Sequence, residues 1–138
     1  MYNKGYNMHK REAKMQVTMK HYLTSDKYNG PSAAFELKRT LTDSLPFSAV
    51  EDHQEDALDA ALNRALYFKI PDDSIGAKPF DCFYLTNTLA YVVIGYGKQL
   101  KSFVFIPIDA WKQEKKTSKR RSLTYERALQ IGHEVTFG

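Results

Sequence analysis

Cysteine is almost absent from this chain of 138 residues, and long apolar runs are missing altogether. The single Cys82 excludes an internal disulfide and any zinc site built from several cysteines, which fits a reducing compartment. The four histidines show no zinc-ligand spacing. No segment approaches the length of a membrane span, and the polar, basic N-terminus lacks the apolar region of a signal peptide. These absences favour a cytoplasmic protein without membrane attachment.

Internal repeats, low-complexity tracts and a convincing linker are also lacking, so residues 1–138 are predicted to form a single domain. Hydrophobic residues make up 43% of the chain, which is enough to build one core. The net charge is +4, and positive charge is densest over residues 112–121, which are predicted to form a basic loop. A basic chain favours a polyanionic partner without proving one, since a run of charges is also typical of a solvated loop.

The most informative stretch is residues 33–40, which the pattern predicts to be a strand. Alternation places Phe35 and Leu37 on one face and Glu36 and Lys38 on the other. A carboxylate and an ammonium are costly to bury, so they must face water, each other, or a metal and a phosphate. The last arrangement is the E-x-K half of a nuclease site, and the alternative is an ordinary polar face on a two-sided strand.

Helical periodicity predicts a first helix over about residues 7–23. Glu12 falls within the apolar stripe of this helix, either as part of a site or as a helix-edge carboxylate paired with Lys10 or Lys20.

A second helix is predicted to begin with a capping box formed by Ser48 and Glu51. Gln54 falls in the middle of the apolar face of this helix, where a long amide needs hydrogen-bond partners. It either bonds a neighbouring backbone edge or points over the sheet towards Glu36 and Lys38.

The second half of the chain is rich in strand patterns. Residues 66–70 form one predicted strand, and residues 78–85 and 89–96 form a predicted hairpin. Residues 103–108 are a predicted last strand, at an edge because Pro107 cannot donate to a ladder. Residues 124–135 are predicted to form a closing helix. The order predicts a mixed α/β domain with a central sheet flanked by helices.

The Glu36-Leu37-Lys38 motif and the segments around it resemble the PD-(D/E)xK nuclease superfamily, and within it the RecU-type Holliday junction resolvases. Residues 45–54, which run from Leu-Pro-Phe-Ser to His-Gln, are similar to the turn and helix that follow E-x-K in those enzymes. Lys4-Gly5 with Glu12 is similar to the start of archaeal resolvases, and residues 119–123 resemble the RecU-type C-terminal region. The resemblance covers most of the chain and implies a restriction-endonuclease-like α/β fold.

The sequence departs from that family at the second acid, which the family places on the strand just before E-x-K. This chain offers only Asp26 there, in a loop-like stretch. An alternative donor is Asp81, in a Pro-Phe-Asp segment of the later predicted hairpin. We expect Asp81 to reach Glu36 from a strand beside E-x-K, whereas a turn-forming aspartate is the alternative interpretation.

The resemblance implies a Mg²⁺ site, with Mn²⁺ as a substitute, held by Glu36, Asp81 and the carbonyl of Leu37. Lys38 would hold the attacking water or the phosphate, and Gln54 would orient water or the scissile phosphate. Glu12 would bind a second ion or water.

Phosphate contacts would come from Lys and Arg side chains with little reading of base sequence. The candidates are Lys10, Arg11, Lys14, Arg39, Lys115, Lys116, Lys119, Arg120 and Arg121.

The function implied is a structure-selective DNA endonuclease that resolves four-way junctions as a homodimer in a bacterial or phage-infected cell, because the junction has two-fold symmetry. The alternatives are another PD-(D/E)xK DNA nuclease and a non-catalytic DNA-binding relic of that fold.

Overall fold

Helices and strands alternate along the chain in the computed structural model, which describes residues 4–25, 28, 30–72 and 78–136, with side chains from residue 11 onward. The elements are α1 (Lys4–Leu23), β1 (Ala33–Arg39), β2 (Ser44–Pro46), a 3-10 turn (Phe47–Ala49), α2 (Asp52–Asn63), β3 (Ala65–Lys69), β4 (Cys82–Thr86), β5 (Leu89–Gly95), β6 (Ser102–Pro107), α3 (Ile108–Thr117), β7 (Ser122–Thr124), α4 (Tyr125–Ile131) and β8 (His133–Thr136).

The central sheet has the strand order β1-β5-β6-β8, so β1 is at one edge. β1 runs parallel to β5, and the remaining pairs are antiparallel. β5 and β6 are the inner strands because both are nearly continuous apolar runs, and residues 92–94 and 103–106 are buried. The predicted mixed α/β domain, with a mixed central sheet flanked by helices, is confirmed. Short strands β2 and β7 pair separately.

The two faces of the central sheet are covered by different helices. On one face, Met15 and Met19 of α1 pack in a cluster with Val93 and Phe105. Phe35 and Leu37 of β1 pack against the same cluster. The other face packs against α2, α3 and α4 in a second core. The alternation along β1 therefore directs Glu36 and Lys38 towards the α2 side, as the sequence predicts.

Strands β3 and β4 form a two-stranded antiparallel hairpin of their own. The predicted hairpin of residues 78–85 with 89–96 is therefore wrong, since β4 pairs with β3 and β5 pairs with β1. The β3–β4 hairpin contacts α2 and has exposed aromatic side chains, among them Phe68 and Phe83.

The basic segment 112–121 is not a loop over its whole length, because α3 covers residues up to Thr117. Ile108 and Trp111 form the buried side of α3, while Asp109 lies in its first turn and lysines lie in its last, as the helix dipole favours. Only residues 118–121 lie outside regular elements in this segment.

The C-terminal part also differs from the prediction of one closing helix. α4 ends at Ile131, and β8 follows it to pair with β6. β6 is therefore an inner strand, and Pro107 is tolerated at its last position. Gly132 lies between the two elements. A side chain does not fit there, because a Cβ would lie 2.3 Å from the Phe105 carbonyl oxygen.

No helix within the described ranges has both the length and the apolar character that crossing a membrane requires.

Candidate active site at the edge of the central sheet

Glu36 and Lys38 form an ion pair on the α2 side of β1. Lys38 Nζ lies 3.1 Å from Glu36 Oε1, and the two side chains are 13% and 26% exposed, respectively. Residues two apart on a strand share a face, so the E-x-K spacing itself brings the charges together. An ion pair this sheltered is weak evidence for stability, because desolvation offsets much of the attraction.

Gln54 reaches the same pair from the first turn of α2. Its Nε2 donates to Glu36 Oε1 at 2.9 Å, and its Oε1 accepts from the Glu51 backbone N–H at 3.0 Å. The capping box of α2 thus uses Glu51 and Gln54, and the predicted pair of Ser48 and Glu51 is one turn too early. Since a backbone N–H can only donate, it fixes the amide with its Nε2 towards the carboxylate.

The contacts to Glu36 fall on one of its two oxygens. Lys38 and Gln54 both bond Oε1, and Oε2 has no hydrogen-bond or ion-pair partner within the described residues. The Glu36 side chain is 26% exposed, so the carboxylate is not fully shielded from solvent. One carboxylate oxygen held by an ammonium and an N–H donor, beside a second oxygen that no described residue bonds, is an arrangement suited to a hard cation or an activated water.

Asp81 does not lie on a strand beside β1, and that expectation is wrong. It immediately precedes β4 at the far end of the β3–β4 hairpin, where its carbonyl accepts from the Ile70 N–H at 2.8 Å. Its carboxylate is 85% exposed and pairs with Lys78 at 3.3 Å. The alternative interpretation, an aspartate that forms a turn at the start of a strand, fits this placement.

The other acids proposed from sequence have different outcomes. Asp26 lies outside the described residues. Glu12 is in α1, whose Met15 and Met19 pack on the opposite face of the sheet from Glu36. The side chain of Leu37 also faces α1, and its backbone lies opposite Val93 in the β1–β5 ladder. In the part of the chain that is described, no group of at least three His, Cys, Asp or Glu side chains has a metal-binding arrangement.

The basic candidates fall into two regions, and the side chain of Lys10 lies outside the description. Arg11, Lys14 and Arg39 line one cleft where α1 meets the end of β1. Lys98, from the loop between β5 and β6, lies in the same cleft. Sequence reasoning missed Lys98 because nothing local to residues 96–101 indicates that they face α1.

The second basic region is at α3 and the residues after it. Lys115 Nζ lies 3.0 Å from Glu55 Oε2, and Trp111 Nε1 donates to the same oxygen at 3.3 Å. Lys115 therefore ties α3 to α2, and its charge has a structural partner. The remaining candidates of this region are all exposed, namely Lys116, Lys119, Arg120 and Arg121.

The chain matches no protein-family model and no curated protein sequence.

Proposed function

We propose that this protein is a metal-dependent, structure-selective DNA endonuclease of restriction-endonuclease-like fold, which hydrolyses phosphodiester bonds at four-way junctions. The observation that supports the proposal most is the contact of Lys38 and Gln54 with one oxygen of Glu36, at 3.1 and 2.9 Å. Three polar side chains from a strand and a helix converge on β1, which is an edge strand of the central sheet.

Each site residue would have a separate role in hydrolysis. The ammonium of Lys38 has three N–H donors, of which one is directed at Glu36, so the others can bond a phosphate oxygen or the attacking water. Gln54 fixes the rotamer of Glu36 and so directs Oε2 away from the pair. The positions of both side chains are set before substrate arrives, because α2 and β1 pack into the same hydrophobic core.

A divalent cation fits this site in part. Glu36 Oε2, which no described residue bonds, is an oxygen of the kind Mg²⁺ and Mn²⁺ prefer, and Mg²⁺ keeps several water ligands beside one or two carboxylates. Asp26 is the remaining sequence candidate for a second acid. When bound, the ion lowers the pKa of a water ligand and neutralises charge that develops on the phosphate.

A four-way junction has two-fold symmetry, and cutting opposite strands calls for two active sites in the same symmetry. We therefore propose that the enzyme acts as a homodimer. It would contact DNA through the basic residues of the α1 region and of the segment after α3, namely Arg11, Lys14, Arg39, Lys116, Lys119, Arg120 and Arg121.

The test is cleavage of a synthetic four-way junction and of a linear duplex in Mg²⁺, with parent protein, Glu36→Gln and Lys38→Met. We expect paired symmetric nicks in the junction, none in the duplex, and a loss of at least about a hundredfold in either variant. Lys69→Met, at an exposed position on β3, is the matched control. Cleavage that survives both active-site variants, or that resists EDTA, would contradict the proposal.

One observation favours a second candidate, a DNA-binding protein that has retained this fold without catalysis. Asp81 pairs with Lys78 beside a hairpin that does not join the central sheet, so it does not supply the second acid expected next to Glu36. Junction binding without cleavage, unchanged by Glu36→Gln, would favour that candidate.

A further inference from the structure

A basic cleft lies where α1 meets the C-terminal end of β1, on the face of the sheet opposite to Glu36. It has a volume of about 400 Å³. We define the α1 cleft by its lining residues, Arg11, Lys14, Thr18, Arg39, Leu41, Lys98, Gln99 and Leu100.

Arg39 is the fixed element of the α1 cleft. Its Nη1 donates to the carbonyl oxygen of Thr40 at 2.8 Å and to that of Gly95 at 2.9 Å. These bonds hold the guanidinium plane against the ends of β1 and β5, which leaves the Nε and Nη2 donors for another group. A planar fork of donors held in place in this way is suited to oxyanions.

The α1 cleft concentrates positive charge, and none of its described lining residues is an acid. Its lining contains four cationic side chains and no carboxylate, and none of the four has an ion-pair partner within the described residues. By contrast, Lys112 and Arg127 each pair with an acid elsewhere on the domain. Like charges at close range repel, and the pKa of Arg39 is lowered, first by burial and then by the nearby charge of Arg11. A bound anion would relieve that repulsion.

We propose that the α1 cleft binds phosphate groups, with Arg39 as the positioned donor and Arg11, Lys14 and Lys98 as the surrounding charges. The neutral amide of Gln99 adds two N–H donors, which suit the several oxygens of a phosphate. The source of the phosphate is either a nucleic-acid backbone or a free polyphosphate. The nucleic-acid source rests on the proposed function, whereas phosphate binding as such does not.

The position of the cleft relative to Glu36 supports the nucleic-acid source. Arg39 follows Lys38 directly on β1, and alternation sends the two side chains to opposite faces. At about 3.3 Å per residue, Glu36 and Arg39 are roughly 10 Å apart along the strand, close to the axial length of about three phosphate-to-phosphate steps of a DNA strand. Because β1 is an edge strand, a nucleic-acid strand that crosses this edge would contact both the candidate active site and the α1 cleft.

The test uses the full chain in EDTA, so that cleavage plays no part. Binding of a labelled four-way junction and of a random-sequence duplex is measured by fluorescence anisotropy over a KCl series. The parent is compared with the double variant Lys14→Ala/Lys98→Ala. The double variant Lys20→Ala/Lys69→Ala is the charge-matched control, and all four lysines are exposed. In parallel, the shift in melting temperature that sodium tripolyphosphate produces is measured for each protein. Arg11→Ala is an independent second variant.

We expect the slope of log affinity against log salt to fall by about two in Lys14→Ala/Lys98→Ala and to stay unchanged in the control. A tripolyphosphate shift that is lost in this variant, with the DNA slope unchanged, identifies a free phosphate compound as the ligand. Equal slopes and equal tripolyphosphate shifts in the parent, Lys14→Ala/Lys98→Ala and Arg11→Ala would overturn the inference. None of these readouts depends on Glu36, so failure of the nuclease proposal and failure of the α1 cleft are distinguishable.

Discussion

Gln54 and Glu36 are joined by a hydrogen bond of 2.9 Å between Nε2 and Oε1, and this contact ties the first turn of α2 to the edge strand of the central sheet. The other end of the amide accepts the Glu51 backbone N–H, so both polar ends of Gln54 are satisfied. A side chain with that pair of partners must be an acceptor at one end and a donor at the other, which a carboxylate cannot be.

Gln54→Glu is therefore expected to destabilise the protein at neutral pH, although the two side chains have nearly the same size. The donor to Glu36 becomes a second carboxylate oxygen at hydrogen-bond distance, and we expect a loss of about 1–3 kcal/mol in the free energy of unfolding by urea. The matched control is the exchange Glu36→Gln/Gln54→Glu, which puts an amide opposite a carboxylate again and should recover most of the loss. Equal stability of parent and Gln54→Glu would show that the contact is not formed in solution.

The local part of the site was predictable from sequence, because it depends on strand and helix periods. The E-x-K spacing places Glu36 and Lys38 on one face, and the position of Gln54 in the apolar stripe of α2 directs it over the sheet. The shared face of Glu36 and Lys38 is confirmed. For Gln54 the sequence left two alternatives, and the structure shows both contacts, one to the Glu51 backbone and one to Glu36. The catalytic roles of these residues stay predictions.

The pairing of strands was not predictable in the same way, since it depends on contacts distant in sequence. Residues 82–86 and 89–95 both have strand character and are joined by a short turn, which favours a hairpin on local grounds. The near-continuous apolar run of β5 is the signal that was missed, because it is typical of an inner strand buried on both faces. The misplacement of Asp81 follows from that one error.

Lys115 is expected to stabilise the packing of α3 on α2 rather than to bind DNA. Lys115→Met removes the cationic partner of Glu55, which is 15% exposed and keeps only the Trp111 N–H donor. It should lower the free energy of unfolding by about 1 kcal/mol, because Lys115 itself is 35% exposed. Lys116→Met, at the exposed neighbouring position, should leave stability unchanged. Urea midpoints measure the difference. A fall of about one in the salt slope of DNA binding for Lys115→Met would instead identify a phosphate contact.

Tyr96 is expected to make stability depend on pH in the alkaline range. Burial raises the pKa of Tyr96 above its ordinary value of 10.0, and its hydroxyl donates to the Leu123 carbonyl oxygen at 3.0 Å. A group with a raised folded-state pKa contributes stability that is present below pH 10 and is lost as the pH rises above it.

The comparison is with Tyr96→Phe, which lacks the hydroxyl. The variant should be less stable than the parent by about 1 kcal/mol at pH 8, and the difference should shrink between pH 10 and 11. Lysines titrate in both proteins, so the difference between the two curves isolates Tyr96. A difference that is the same at pH 8 and pH 11 would contradict a buried, neutral tyrosine.

Asp26 and Asp81 are the two candidates for the second acid of the proposed metal site. Asp81 is 85% exposed, pairs with Lys78 at 3.3 Å and belongs to the β3–β4 hairpin, which does not pair with β1. A ligand shared with Glu36 would have to lie within a few ångströms of it, since Mg²⁺ binds oxygen at about 2.1 Å. Asp81→Asn should therefore leave Mg²⁺-dependent junction cleavage unchanged, whereas Asp26→Asn should reduce it by at least about a hundredfold. The readout is the cleavage rate over a Mg²⁺ series, with circular dichroism to verify that both variants are folded. Loss of cleavage in Asp81→Asn with full activity in Asp26→Asn would require the hairpin to move onto the edge of β1 when metal and DNA bind.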